Sequence, residues 1–424
     1  MNKTALHKIL AIILICAVCL SCGVYAFASE SEKAPNNNVV NLACKTVVDY
    51  EEANGYYDVT QVSGEITNIE QVSGGVNAYV TVNYCLAMKA KTADEWPYIQ
   101  GMIEALETLT DEEEIAVAET YLNIWRAEIE RDHIGKEIPV SQKFKVFIPV
   151  TTASISTQNE RALNRLSLDE AVITLREPTD FACDDGAEAR SSATDGYVDQ
   201  PLSYFEQPSV SSVKASAFDA VLDVAKNPAN NPENRADAIS NTVRSGNWTQ
   251  EERAQQLDRV DAASYARDED NFPNGKKPDG SNYVHYSGDC ANFVSQCYLA
   301  GGFEEDPAPR SETSDWYMYS YAWRYAGYPR GDHYGIRDYM EDNGVVFDAG
   351  NEWNRAFAGS IMYYGPTLTN GAHVGIITSN NGVTAYYSAH TTDHCHEKLT
   401  TGLKNGCDFY IPCWDSHTNS WTPQ

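Results

Sequence analysis

Gly288-Asp289-Cys290-Ala291-Asn292-Phe293-Val294-Ser295-Gln296-Cys297 is the stretch on which the reading of this chain turns. A Gly-Asp-Cys turn opens a run whose Phe293, Val294, Cys297 and Leu299 fall on one broad face of a helix. Cys290 is thereby placed at or next to a helix N-terminus. There the unpaired backbone N–H groups and the macrodipole favour an anion, which lowers a thiol's pKa. Further along, Gly371-Ala372-His373-Val374-Gly375-Ile376-Ile377 reads as a histidine opening an apolar strand. A cysteine on a helix tip followed by a histidine on a strand is the order of a nucleophile and its base. The structural alternative is a buried cysteine, or half of a disulfide, near an unrelated core histidine.

The segments 374–378 and 383–389 read as strands, separated by Asn380-Asn381-Gly382. A two-residue Asn381-Gly382 turn of type I′ pairs Asn380 with Val383. Counting outward sets 378 against 385, 376 against 387, and His373 against His390. Directly opposed residues share a face, with Cβ atoms roughly 4.5–5.5 Å apart. This register therefore predicts His390 beside His373, one ring taking the thiol proton and the other orienting it. Ser388 lies on the same face and Asp393 follows closely, so either can replace His390 as orienter. A loop one residue longer breaks the register.

The run from Gly288 to Cys297, then Ala300-Gly301-Gly302, a Trp-rich middle, His373-Val374-Gly375-Ile376 and Ser388-Ala389-His390-Thr391-Thr392-Asp393 resemble a bacterial amidase-domain family. That family belongs to the papain-like clan, alongside the CHAP and NlpC-type cell-wall hydrolases. The resemblance covers roughly 255–415, under half the chain; Ala291 stands where many relatives have Thr. It implies a papain-like α+β domain with Cys290 on a helix N-terminus as nucleophile and His373 on the sheet as base. The third position is carried to His390, and no cofactor or metal is implied. For the oxyanion, the backbone N–H of Cys290 is the first donor. Tyr286 is a second donor or a core residue, and Asp289 is read as the helix N-cap rather than a catalytic acid.

Two further clusters need weighing. The aromatics of 316–325 read as a groove wall that stacks on sugar or peptide, or as core; the spacing favours core for Trp316 and Trp323. His390, His394, Cys395 and His396 crowd together, and His390-x-x-x-His394 matches helical zinc spacing. No glutamate follows the first histidine, and the stretch begins on an expected strand.

Outward from this region, the chain starts with Lys3, Lys8, an apolar run over 9–20 and Ala26-Phe27-Ala28, the pattern of an export signal cleaved after Ala28. A lipoprotein anchored at Cys22 is the rival reading. The formal charge of −29 makes nucleic acid a poor partner. Beyond the leader stand Cys44, Cys85, Cys183, Cys290, Cys297, Cys395, Cys407 and Cys413. Export permits disulfides, and Cys395, Cys407 and Cys413 are near enough in sequence for one local bridge. Cys297 lies too far along the helix from Cys290 to bridge with it.

The expected organisation is a signal peptide (1–28), an N-terminal α+β domain (29–183), a linker (184–213), a helical lead-in (214–254) and the cysteine domain (255–424). In the N-terminal domain, Val76, Ala78, Val80, Val82, Tyr84 and Leu86 alternate as a half-buried strand. Gln-Val-Ser-Gly at 61 and again at 71 flanks a hairpin turn. Thr110 with Glu113 reads as a capping box for a helix burying Ile115, Ala118, Leu122, Trp125 and Ile129. His133 reads as a surface or helix-end residue. A helix against a curved antiparallel sheet, of cystatin or NTF-like kind, is the expected fold there. The functional expectation is an exported cysteine amidohydrolase acting on peptidoglycan or another extracellular amide, with possible wall association and an open oligomeric state. The alternatives are a non-catalytic wall- or surface-binding protein and a zinc hydrolase.

Overall fold

The computed structural model describes residues 38–149, 168–178, 197–230, 248–271, 275–277, 281–284, 286, 288–326, 335–364, 373–390 and 393–424. The expected export signal, the Cys22 anchor and Cys183 lie outside these residues. The chain is of mixed α+β class, and its first half is an antiparallel sheet with helices, as expected.

Helix α1 (Asn38–Glu51) leads into strands β1 (Tyr57–Val72) and β2 (Gly75–Met88), which form a long hairpin. Val76, Ala78, Val80, Val82, Tyr84 and Leu86 are all buried, so the alternation in sequence is the alternation of faces. The pair Val72↔Gly75 closes a two-residue turn in which Gly74 takes a φ of 84°, a left-handed value that suits glycine. The second Gln-Val-Ser-Gly thus makes the turn, while the first lies within β1. Helices α2 (Pro97–Leu106) and α3 (Glu112–Asp132) follow. The cap of α3 falls one residue later than the sequence suggested: Asp111 accepts from the N–H groups of Glu113 and Glu114. Strands β3 (Glu137–Pro149), β4 (Val172–Pro178) and β5 (Tyr197–Gln200) complete a five-stranded meander in the order β1-β2-β3-β4-β5. Part of the expected linker is therefore structured: 197–200 pairs with β4, and helix α4 (Val210–Lys226) begins at its end.

The second half opens with α5 (Gln250–Gln255), whose N-terminus carries a Thr249/Glu252 capping box, and α6 (Arg259–Arg267). Helix α7 (Cys290–Ala300) carries the cysteine motif. After α8 (Tyr321–Arg324) and α9 (Ile336–Asp342) comes a six-stranded antiparallel sheet in the order β10-β9-β8-β7-β11-β6. Its strands are β6 (Val346–Asp348), β7 (Ile361–Tyr364), β8 (His373–Asn380), β9 (Ala385–Ala389), β10 (His394–Lys398) and β11 (Asp408–Pro412), with α10 (Thr401–Gly406) before the last. One face, through Ile361, Tyr363, Val374 and Ile376, packs on Phe293, Val294 and Cys297 of α7. The other, through Met362, Tyr364, Ile377 and Tyr387, packs on Leu399 and Leu403.

The halves are not separate cores. Trp96, Tyr98 and Trp125 share one buried cluster with Phe357, Val383, Tyr386 and Ile411. Trp96 Nε1 donates to the Asn381 carbonyl at 2.6 Å, and the Tyr98 hydroxyl to that of Asn354 at 2.7 Å. Gly382 has a φ of 77°, and a Cβ there would stand 2.3 Å from the Tyr98 ring. Beneath this, Glu128 holds Arg259 Nη1 at 2.8 Å and Arg131 Nη2 at 2.8 Å, while Arg259 Nη2 meets Asp415 at 3.2 Å. Glu128, Arg259 and Asp415 are all fully buried.

His133 is not a surface residue. It ends α3 but is 1% exposed, and burial lowers its pKa to about 4. Half-buried His396 is shifted the same way by burial, to about 3. Burial works to raise the Glu128 pKa, but Arg131 and Arg259 outweigh it and bring it down to about 2. For each histidine the unfolded chain binds its proton at higher pH than the folded one. Stability is therefore full above about pH 6.5 and falls as the pH drops towards the folded values. Protonation of Glu128 adds a further loss below its ordinary carboxylate range. The expected result is a melting temperature that declines steadily from pH 7 to pH 4, a loss on the order of a few kcal/mol. His133→Gln should flatten the upper part of that decline; an unchanged pH dependence in the variant would remove His133 as a cause.

Candidate active site

Every polar side chain of the cysteine motif has a local partner, and the partners explain the motif. The first bond of α7 runs from the Phe293 N–H to the Asp289 carbonyl, 2.9 Å, so the N–H groups of Cys290, Ala291 and Asn292 precede its ladder. Asn292 Nδ2 donates to the Val284 carbonyl, and its Oδ1 accepts from Trp323 Nε1 at 2.6 Å. Ser295 Oγ donates to the Trp323 carbonyl and accepts from Trp316 Nε1. Both tryptophans are fully buried, as their spacing suggested; Tyr319 and Tyr325 of the same run are exposed. Gln296 accepts from the Tyr265 hydroxyl. Asn292 and Ser295 thus pin the aromatic run against the helix that presents the cysteine.

Asp289 stands at the N-cap position, yet its side chain makes no cap bond. Its Oδ1 accepts from the Tyr286 N–H and from Asn292 Nδ2, each at 2.9 Å. Its Oδ2 lies 3.0 Å from His390 Nδ1, with both side chains 1% exposed. The Phe293 ring stacks on the His390 ring, centroids 4.0 Å apart and planes 12° from parallel. A carboxylate only accepts, so the contact is a hydrogen bond when Nδ1 of His390 carries the ring proton. Asp289 is therefore a partner of His390 and not a helix cap, and as an acceptor it is no oxyanion donor.

Cys290 is 8% exposed. Burial pushes its thiol pKa up, the Val374 and Ala291 N–H groups work against this, and the Asp289 charge adds to the rise. The lowered thiol expected of a helix tip is not found, because desolvation of the thiolate outweighs the N–H groups around it. The N–H of Val374 brings the sulfur to the start of β8, where His373 is the preceding residue.

The β8–β9 register differs from the expected one. Observed pairs are Asn380↔Ala385, Ser379↔Tyr386, Ile377↔Tyr387 and Ile376↔Ser388, with an irregularity between Ile377 and Ser379. The connection is 381–384, not Asn381-Gly382 alone. Asn381 is the physical reason: its Oδ1 accepts from the N–H groups of Val383 and Thr384, folding a side-chain-closed turn, and its Nδ2 donates to the Tyr57 hydroxyl. Continued outward, this register sets His390 against Val374, not His373. That is the face turned to α7, in agreement with the contacts of His390. His373 pairs with Tyr364 and so shares the opposite face.

The remaining candidates separate. Ser388 Oγ accepts from the His396 N–H at 2.9 Å, and Asp393 is exposed. The Tyr286 hydroxyl donates to the Met318 carbonyl at 3.3 Å. His394 Nδ1 bonds Glu397 and His396 Nδ1 bonds Thr378, so the histidine cluster of the sequence does not converge in space. Among the described residues no three His, Cys, Asp or Glu side chains gather as a metal-holding group. Cys44, Cys85, Cys290, Cys297 and Cys395 are free thiols, so Cys395 takes no part in the local bridge that the sequence allows.

The helix tip, the strand start and the Asp289–His390 pair all fall within the stretch that carries the amidase resemblance. The family comparison agrees: residues 256–411 match the family model described as "Putative amidase domain". The resemblance to an amidase-domain family thus holds for the C-terminal part of the chain, and this match suggests amide hydrolysis. No curated protein and no solved structure matches the chain.

Proposed function

We propose that this protein is an exported cysteine amidohydrolase of papain-like type, acting on amide bonds of extracellular peptides, peptidoglycan stem peptides first among them. The observation that carries the reading is the placement of Cys290. It opens an 11-residue helix, its sulfur touches the Val374 N–H at the start of β8, and the neighbouring Asp289 holds an imidazole. The imidazole takes the thiol proton as sulfur bonds to the amide carbon, and the carbonyl π pair moves to oxygen. The N–H groups at the helix start meet that charge. As the C–N bond breaks, the imidazolium proton goes to the leaving amine, giving a thioester. Water then delivers its proton to the ring and its hydroxyl to the acyl carbon, releasing acid and thiol. The peptide of a cell wall is the abundant amide outside a bacterial membrane, and an export signal would place the enzyme there. Mass analysis of purified wall fragments after digestion tests this: new amine and carboxyl termini at one bond support it. Intact fragments, together with turnover of free peptides, would move the substrate elsewhere.

A further inference from the structure

We infer that Asp289 is the positioning residue of this reaction: by holding Nδ1–H of His390 it presents Nε2 of that ring as the base that takes the Cys290 proton. The inference rests on the reading of Cys290 as nucleophile and reverses the roles that the sequence suggests for the two histidines.

Three observations converge. Asp289 precedes the nucleophile directly, so one turn fixes both the sulfur and the anchor of the base. Its oxygens are divided: the Tyr286 N–H and the Asn292 amide occupy Oδ1, which aims Oδ2 at the imidazole. Phe293, three residues after Cys290, covers the face of the ring. The imidazole is thus held by an edge and by a face, both from the helix turn that carries the thiol. His373 has the opposite placement by register, on the face of Tyr364.

The Asp289 carboxylate, 1% exposed and 3.0 Å from Nδ1, fixes the orientation of the ring with little competition from water. Burial makes the Cys290 thiol a weaker acid, so it needs a base held in place beside it to ionise during attack. The Asp289 charge also disfavours the bare thiolate.

The test has two arms. In single-turnover acylation, Asp289→Asn is expected to lower the maximal rate roughly ten- to a hundredfold and to move the acid limb of the pH profile to lower pH. Asp289→Glu should recover part of the loss, and His390→Ala should lose more than His373→Ala. A folded Asp289→Asn protein with an unmoved acid limb would overturn the inference. Nitrogen NMR of His390 in the Cys290→Ala protein supplies the second arm, which stands even where Asp289→Asn does not fold. The Nδ1–H tautomer is expected; a neutral ring protonated at Nε2 overturns the proposal. Should Cys290→Ala itself turn over substrate, the nucleophile reading falls, while the tautomer still judges the Asp289–His390 pair.

Discussion

Cys290→Ala is expected to abolish amide hydrolysis, with a fall of about a thousandfold or more in turnover, while the protein keeps its cooperative melt. The chemical side is simple: alanine has no atom that can form the acyl-enzyme, and no other described cysteine belongs to the helix tip beside the Asp289–His390 pair. The structural side is favourable too. The sulfur removed is one small group near a helix end, and the bonds that fix the turn run through Asp289, Asn292 and Ser295. Cys290→Ser keeps the volume but offers a hydroxyl whose proton is far harder to remove, so it should be nearly as inactive. Hydrolysis of a soluble peptide beside a circular-dichroism melt measures both. Activity retained in a folded Cys290→Ala protein would discard the thiol mechanism. Because burial raises the thiol pKa, alkylation of the resting enzyme should quicken towards alkaline rather than mildly acidic pH.

How much of this was legible follows from which interactions are local. The helix start at Cys290, the strand at His373, the capping box at Thr249 and the alternating strand 75–88 all depend on periodicity or on near neighbours, and each can be read from a short window. The β8–β9 register cannot. An Asn-Gly pair between apolar runs is a strong signal for a two-residue turn, but Asn381 spends its side chain closing a longer loop that Tyr57 and Trp96 grip from the other half of the chain. That one tertiary contact moves His390 from His373 to Asp289. Burial is non-local in the same way. His133 reads as a helix end, and it is one; only the packing of the two halves makes it a buried one. The pairing of Asp289 with His390 had a sequence signal in the acid directly before the cysteine. The same acid is also what an ordinary helix cap looks like, so the window alone could not choose.

A fragment beginning at Trp248 is expected not to fold, although it contains the whole matched domain. The composition of the 184–213 region suggests a separable unit, and the packing says otherwise. Such a fragment would expose Phe357, Val383, Tyr386 and Ile411, which are buried against Trp96, Tyr98 and Trp125 in the full chain. It would also leave Arg259, fully buried, without Glu128; breaking a buried pair by removing one partner costs about 3–5 kcal/mol. A domain's net stability is typically about 5–15 kcal/mol, so this loss and the missing apolar contacts together exceed what remains. The measurement is near-ultraviolet circular dichroism and urea unfolding of the fragment beside the full chain. Absent near-ultraviolet bands and no cooperative transition are expected. The single change Glu128→Ala in the full chain should lower the urea midpoint by an amount matching that same range, with the apolar interface intact. Co-production of a second fragment ending at Asn230 should restore the fold and the turnover, since it returns α3 and the Trp96 contact to Asn381. A fragment from Trp248 that melts cooperatively and hydrolyses peptide alone would show that the shared core is dispensable. The first half would then serve binding rather than the stability of the site.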